Sequence, residues 1–231
     1  MSRSFSLRHM IESSEITLLK EQWVERLHRI GSFWEYQGGP FVAELTISGR
    51  VSDFYFNSNV LLSDPRLTRA LCRDVFLRQL NLLSITPSFV ITVAPFGMAI
   101  ASVMAEELAI PFGYHHPSTQ SILSRMPQHE DLSIIVTDDI WSGGSVKEVI
   151  ELLRRKGFSD PAIIVAIGNM SQRSELCGIP ICSVFDRQVN AWAFNDSPFA
   201  SISGIRPIVA RENWKTLVPS AFIGGIDGAI A

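Results

Sequence analysis

Charged side chains are scarce in this sequence. Lys, Arg, Asp and Glu make up 19% of its 231 residues, against about 25% in a typical soluble domain. The formal net charge of −3 provides no excess of positive charge for non-specific nucleic-acid binding, so we expect no nucleic-acid partner. Apolar residues reach 46%, which excludes an intrinsically disordered chain and suffices for one sizeable core.

Cysteines and long apolar runs are also lacking. Cys72, Cys177 and Cys182 are too few and too scattered for a disulfide framework, and no pair has the Cys-x-x-Cys spacing of a zinc site. We therefore expect buried thiols in a reducing compartment. No stretch approaches the roughly 18 apolar residues of a membrane span, and the first residues lack the apolar run of a signal peptide. These absences predict a cytoplasmic protein with no membrane partner.

The first third of the chain shows helical and hairpin patterns. Apolar residues recur every three or four positions from Ile16 to Ile30, which predicts a helix. Phe41–Ile47 and Val51–Asn57 are typical of strands joined by a turn, which predicts a hairpin. Ser63-Asp64-Pro65 supplies a capping residue and a proline, so a second helix should begin there and run to about Leu83.

The rest of the chain alternates buried strands with helices. Continuous apolar runs predict strands at 89–94, 132–137, 162–167 and 182–185, and the intervening patterns predict helices at 98–108 and 146–156. This alternation predicts an α/β fold: a central, mostly parallel sheet flanked by helices, with an N-terminal helix and β-hairpin. Residues 115–131 have no period and are expected to form a loop. Residues 187–231 carry weak signals and receive no assignment.

Acidic and glycine residues cluster after the strand predicted at 132–137. Asp138 and Asp139 come at its carboxyl end, where ligands of open α/β sheets bind. The sequence Ser142-Gly-Gly-Ser145 then leads into a helix, and such a loop offers backbone N–H groups and hydroxyls to a phosphate. The carboxylates can accept hydrogen bonds from a vicinal diol or orient Mg²⁺ through water. Together these features indicate a sugar-phosphate site.

This segment resembles the phosphoribosyl pyrophosphate motif of type I phosphoribosyltransferases, and other segments resemble the orotate branch of that family. Gly31-Ser-Phe followed by Phe41 to Asn57 resembles its N-terminal hairpin, and Leu62-Ser-Asp-Pro65 the start of its next helix. Val93-Ala-Pro-Phe-Gly-Met-Ala-Ile100 resembles its pyrophosphate loop. The match covers roughly residues 15–185, in the family's order. It implies a single type I phosphoribosyltransferase domain over 1–231, with a hood-like hairpin region (15–60), a core (61–186) and a C-terminal extension (187–231).

The resemblance also implies a reaction and a site. Such an enzyme transfers the phosphoribosyl group of phosphoribosyl pyrophosphate to a base, orotate being the first candidate, and releases pyrophosphate. It requires Mg²⁺, bound through the substrate near Asp138, and acts as a homodimer. The implied catalytic residues are Asp138, Asp139, Arg125 and His115. The implied phosphoribosyl-binding residues are Thr137, Ser142, Gly143, Gly144 and Ser145. The implied pyrophosphate loop comprises Pro95, Phe96, Gly97 and Met98. The implied base-binding residues are Phe54, Tyr55 and Arg50.

The sequence departs from the family pattern at the acidic pair. Only two residues separate Asp139 from Ser142, where the family usually has three. Either the loop is one residue shorter, or Thr137 and Asp138 occupy the acidic positions. Asp138 is functional in both alternatives and Asp139 in only one. Trp141, a large aromatic residue in this loop, either stacks on a ligand or fills the loop.

A second departure concerns positive charge. The family places Arg-Lys at the end of the strand after the pyrophosphate loop, whereas this chain has His115-His116, and Arg125 is the sole Lys or Arg between there and Val146. Neutral imidazoles carry little positive charge near pH 7. Two hypotheses therefore remain: an orotate-like transferase, or a catalytically impaired relative that binds phosphoribosyl pyrophosphate or a nucleotide in a regulatory or partner-binding role.

Overall fold

The computed structural model describes residues 2–45, 48–116, 121–122 and 127–219. Their contacts divide the chain into two compact units. The first unit comprises the residues up to Val24 together with Asp64–Arg187, and the second comprises Glu25–Ser63 together with the residues from Gln188 onward. The predicted single domain stays a prediction.

The secondary structure has the following bounds. The helices are α1 (Ser2–Arg29), α2 (Ser58–Leu62), α3 (Pro65–Leu71), α4 (Arg78–Leu82), α5 (Met98–Leu108), α6 (Gly144–Arg155) and α7 (Trp214–Leu217), and a π-helical segment (Cys72–Leu77) joins α3 to α4. The strands are β1 (Phe33–Glu35), β2 (Phe41–Glu44), β3 (Val51–Ser52), β4 (Phe54–Phe56), β5 (Phe89–Val93), β6 (Phe112–His116), β7 (Ser121–Ile122), β8 (Ser133–Ile140), β9 (Ile164–Asn169), β10 (Glu175–Leu176), β11 (Ile179–Asp186), β12 (Ala191–Trp192) and β13 (Arg206–Val209).

The first unit is built on a mixed sheet in the order β10-β11-β9-β8-β5-β6-β7. Its five central strands are parallel, and β7 and β10 pair antiparallel at the edges. The residues of β5 and β9 are buried throughout, as the continuous apolar runs predicted. One face of the sheet packs against α6 through a core that includes Val93, Ile135 and Val149. The predicted α/β fold class is confirmed.

The helix predicted to begin near Ser63 does begin there. Asp64 accepts hydrogen bonds from the backbone N–H groups of Arg66 and Leu67, and Pro65 occupies the first helical position. Because a capping carboxylate satisfies N–H groups that have no intrahelical partner, this short sequence is enough to define the start of the helix.

Strand β8 is longer than predicted. It runs to Ile140 and therefore contains Asp138 and Asp139, which were expected to follow the strand. The extension is held by parallel pairing with β9, where Asp139 lies opposite Gly168 and Ile140 opposite Asn169. The short strand β7 likewise lies within the region predicted as the loop 115–131. In both cases pairing with a neighbouring strand extends the sheet into a polar sequence.

The second unit contains the predicted hairpin. Strands β2 and β3 pair antiparallel, with Ala43 opposite Ser52. The second predicted strand is divided, because its later part, β4, pairs with β1 instead. Two strands of the unassigned C-terminal region complete the sheet: β12 pairs with β3, and β13 runs parallel to β2.

The three cysteines are free thiols. Cys72 and Cys182 are buried, as expected, whereas Cys177 is half-buried. Burial raises the pKa of the Cys72 thiol to about 12, and it also raises the pKa of Cys182. Within the described ranges, none of the helices combines the length and apolar character that crossing a bilayer requires.

Candidate functional site

The carboxyl end of β8 brings together three oxygen-bearing side chains. Thr137 and Asp138 are each 4% exposed, while Asp139 is half-buried. The Thr137 hydroxyl lies 3.4 Å from Oδ1 of Asp138 and 3.4 Å from the carbonyl oxygen of Asp139. A hydroxyl and a carboxylate so close together can hold two neighbouring hydroxyl groups of a sugar.

Asp139 has a different partner. Its Oδ2 accepts a hydrogen bond of 3.2 Å from the indole Nε1 of Trp141. Trp141 is half-buried and follows directly after β8. The hydrogen bond anchors the indole to the strand that carries the acidic residues. Stacking on a ligand and filling of the loop both stay predictions for this ring.

The glycine loop leads into α6 as the sequence predicted. The backbone of Gly143 is left-handed, with φ of +81°. A Cβ on this residue would lie 3.0 Å from side-chain atoms of Leu176. Helix α6 begins at Gly144, and Ser142, Gly144 and Ser145 are exposed. The positive end of a helix of 12 residues thus lies beside exposed hydroxyls, an arrangement that suits a phosphate group.

The predicted pyrophosphate loop approaches the end of β8 closely. A Cβ on Gly97 would lie 2.1 Å from Thr92 Oγ1, 3.0 Å from the carbonyl oxygen of Val136 and 3.2 Å from the Cα of Thr137. Pro95 and Phe96 are exposed, and Met98 is half-buried at the start of α5. The Ala94–Pro95 peptide bond is cis. Because Gly97 lacks a side chain, the loop backbone and the acidic strand can lie against each other.

His115 lies on the α6 side of the sheet. It is level with Val93 of β5, which belongs to the core beneath α6, and its Nε2 is 3.6 Å from Oε2 of Glu148. The ring is buried, and neither nitrogen has a hydrogen-bond partner among the described residues. An unsatisfied buried polar atom costs about 1–3 kcal/mol. The negative charge of the nearby Glu148 carboxylate can offset part of this cost by electrostatic attraction to the ring N–H.

The positive charge expected near the leaving group is sparse. His116 is half-buried, and by alternation along β6 it faces the opposite side of the sheet from His115. Arg125 lies outside the described residues. Lys147 is exposed in the first turns of α6 and lies 3.7 Å from Glu151, so part of its charge is neutralised.

The predicted base-binding residues all belong to the second unit. Phe54 and Tyr55 are buried there; the Phe54 ring packs 5.7 Å from Phe33, and the Tyr55 ring 5.8 Å from Trp214. Arg50 is exposed and donates a hydrogen bond of 3.4 Å to the carbonyl oxygen of Ala191. Their role with a base stays a prediction.

A polar network at the ends of β9 and β11 was missed by the sequence reasoning. Asn169 Nδ2 donates to Asp186 Oδ1 at 2.6 Å, and the Ser183 hydroxyl donates to Asp186 Oδ2 at 3.0 Å. Asn169 is buried and lies opposite Ile140, beside the loop that carries Trp141. The signal was present, since a polar residue ends each of these two strands. Glu148 gave no such signal, because it resembles any exposed helix residue.

Comparison with known proteins identifies relatives of two kinds. No family model matches the chain. The chain is 29% identical over 130 residues to an orotate phosphoribosyltransferase of Carboxydothermus hydrogenoformans, a match over 55% of this chain and 65% of that protein. It is 30% identical over 128 residues to the transcriptional regulator GfcR of Methanococcoides burtonii, over 51% of this chain and 62% of the relative. A second regulator, GfcR 1 of Methanosarcina barkeri, is 30% identical over 141 residues, covering 55% and 68%. The chain thus spans less than two thirds of the length of the first two relatives.

Solved structures show the same fold. The orotate phosphoribosyltransferase from Aeropyrum pernix superposes with a TM-score of 0.56 at 25% identity, over 70% of this chain and 92% of that one. The orotate phosphoribosyltransferase of Mycobacterium tuberculosis in complex with inorganic phosphate has a TM-score of 0.53 at 16% identity, over 75% and 96%. The second similarity concerns the fold alone.

Proposed function

Because this chain belongs to the type I phosphoribosyltransferase family, we propose that it binds phosphoribosyl pyrophosphate at the carboxyl end of β8 and transfers the phosphoribosyl group to a base. The close approach of Gly97 to Thr137 is the observation that carries this proposal. It joins the loop suited to pyrophosphate to the strand end suited to a sugar. A ligand that ends in a phosphate at one side and a pyrophosphate at the other would span both.

The residues of the first unit would act mainly by position and charge. The N–H groups at the start of α6 and the hydroxyls of Ser142 and Ser145 would hold the 5′-phosphate. Asp138 would accept hydrogen bonds from the ribose and favour the positive charge that develops on the sugar in an oxocarbenium-like transition state. The bond from the ribose carbon to the pyrophosphate oxygen would break and the bond to the base nitrogen would form, while the proton of that nitrogen passes to solvent.

Mg²⁺ fits this donor set through the substrate. The described residues include no group of three or more His, Cys, Asp or Glu side chains arranged to bind a metal ion. Asp138, a buried carboxylate, suits the water ligands of an Mg²⁺ ion carried by the pyrophosphate. The ion would supply neutralisation of the negative charge on the leaving group.

Orotate is the base we propose first, because relatives named orotate phosphoribosyltransferase match over about half of this chain. The test is release of pyrophosphate from phosphoribosyl pyrophosphate and Mg²⁺ with a panel of bases, with formation of the nucleotide followed in parallel. We expect turnover with orotate or a related pyrimidine, and loss of turnover in Asp138→Asn. We further propose that the active form is a cytoplasmic homodimer, which sedimentation of the purified protein would test.

A non-catalytic role is the second candidate. Two observations favour it: histidines stand where this family has cations, and relatives of similar identity are named transcriptional regulators. Under this alternative the protein binds phosphoribosyl pyrophosphate or a nucleotide, and no base in the panel supports turnover. Measurable binding of phosphoribosyl pyrophosphate without turnover would decide for it and against the enzyme.

A further inference from the structure

The hydrogen bond between Asp139 and Trp141 lies inside the candidate site. The indole donates to the carboxylate at 3.2 Å, and the two residues are separated by Ile140 alone. Asp139 lies in β8, and Trp141 lies in the bend directly after it. The carboxylate therefore fixes the orientation of a half-buried aromatic ring that forms part of the phosphate loop.

The pairing of β8 with β9 shows no bulge at the acidic residues. Thr137, Asp139 and Ile140 lie opposite Ala166, Gly168 and Asn169 of β9, so the register is constant to the end of the strand. Counted back from Gly143 without a gap, the acidic positions of the family motif fall on Thr137 and Asp138. Thr137 is the residue whose Cα lies against Gly97, and its hydroxyl is 3.4 Å from the Asp138 carboxylate.

We infer that Asp139 is a positioning residue for Trp141, and that Thr137 and Asp138 are the pair that meets the sugar hydroxyls. This inference rests on the proposed function and names the residues that perform it. The ring of Trp141 is then held in one orientation at the start of the phosphate loop. The sugar is then held by one carboxylate and one hydroxyl.

The experiment compares Asp139→Asn, Asp139→Ala and Asp138→Asn. An asparagine oxygen can still accept the indole hydrogen bond, whereas alanine cannot. The matched control is Asp74→Ala, because Trp23 donates to Asp74 Oδ2 at the same distance of 3.2 Å in the same unit, on a helical segment without any predicted site residue. Two quantities are measured: the indole N–H signal of Trp141 in ligand-free protein, assigned with Trp141→Phe, and the affinity for phosphoribosyl pyrophosphate.

We expect the Trp141 signal to persist in Asp139→Asn and to shift and exchange faster with solvent in Asp139→Ala. Affinity should fall at most about threefold in Asp139→Asn, about tenfold in Asp139→Ala, and more in Asp138→Asn, since the last change removes a charged acceptor. Asp74→Ala should shift the Trp23 signal and leave the affinity unchanged.

Two results would overturn the inference. One is an unchanged Trp141 signal in Asp139→Ala, which needs no ligand and so is independent of the proposed function. The other is a loss of affinity in Asp139→Asn as large as in Asp138→Asn, which would make Asp139 a sugar ligand. Failure of the wild-type protein to bind phosphoribosyl pyrophosphate would instead refute the proposed function, and the assignment of Thr137 and Asp138 with it.

Discussion

The two ends of the candidate site differ in the chemical groups that they offer to a ligand. The sugar-phosphate end, formed by Thr137 to Ser145, combines backbone geometry with a buried carboxylate and a helix N-terminus. The leaving-group end, formed by Pro95 to Met98 and by His115 and His116, has the close-approach glycine but few cations. From Gln79 to Val146 the sole Lys or Arg of the sequence is Arg125. In this chain the backbone features of the proposed site are thus present without the positive charge expected beside them.

The largest effect is expected at Gly97, where both ends meet. Gly97→Ala places a Cβ 2.1 Å from a side-chain oxygen and 3.0 Å from a backbone carbonyl oxygen. Relieving this overlap requires the loop or β8 to move, so we expect the free energy of unfolding to fall by about 2–3 kcal/mol. Urea unfolding measures it. Gly144→Ala is the control, since its nearest contact is the Ser142 hydroxyl at 3.7 Å, and it should stay within about 0.5 kcal/mol of wild type. Equal stability of the two variants would refute the close approach.

The next largest effect is expected on ligand affinity, compared between one variant at each end of the site. Asp138→Asn should lower the affinity for phosphoribosyl pyrophosphate about tenfold to a hundredfold, because a hydrogen bond to a charged group contributes about 1.5–3 kcal/mol. His115→Gln, at the other end, should lower it less than about threefold. Calorimetric titration of both variants measures the ratio. A larger loss in His115→Gln would reverse the comparison.

Some parts of the fold could be predicted from the sequence alone. The buried strands β5 and β9 and the cap at Asp64 were predictable, because each depends on a short segment: a continuous apolar run, or a capping carboxylate before a proline. The motif at the end of β8 was predictable as a set, since its carboxylates and glycines are contiguous. The length of β8 within that set was not predictable, because it depends on pairing with β9.

Contacts between residues far apart along the chain could not be predicted from the sequence. Strand β13 pairs with β2, so Arg206 lies opposite Phe41 although most of the chain separates them. A four-residue strand with a proline carries too little periodic signal to be recognised alone. The approach of Glu148 to His115 is of the same kind, since a helix residue of ordinary appearance acquires its role from the fold.

A third effect tests the backbone of the sugar-phosphate end. Gly143→Ala must adopt a left-handed conformation at φ of +81° and contact Leu176 at 3.0 Å. We expect a loss of about 1–2 kcal/mol in the free energy of unfolding, measured beside Gly144→Ala. A loss no larger than that of the control would show that the loop can take another conformation.

The smallest effect restores charge at the leaving-group end. His116→Lys adds a cation at a half-buried position of β6, and should raise the affinity for pyrophosphate about threefold at low salt. The gain should shrink in high salt, because screening weakens exposed charges. His116→Gln controls for loss of the imidazole. No gain from the lysine would show that charge is not what this end lacks.

The central claim is that this chain retains the sugar-phosphate end of its site and has weakened the leaving-group end. The most direct measurement is the calorimetric affinity of the wild-type protein for ribose 5-phosphate and for pyrophosphate, each repeated with Asp138→Asn. We predict that ribose 5-phosphate binds at least as tightly as pyrophosphate, and that Asp138→Asn weakens the binding of ribose 5-phosphate more than that of pyrophosphate. Tight binding of pyrophosphate with none of ribose 5-phosphate would contradict the account.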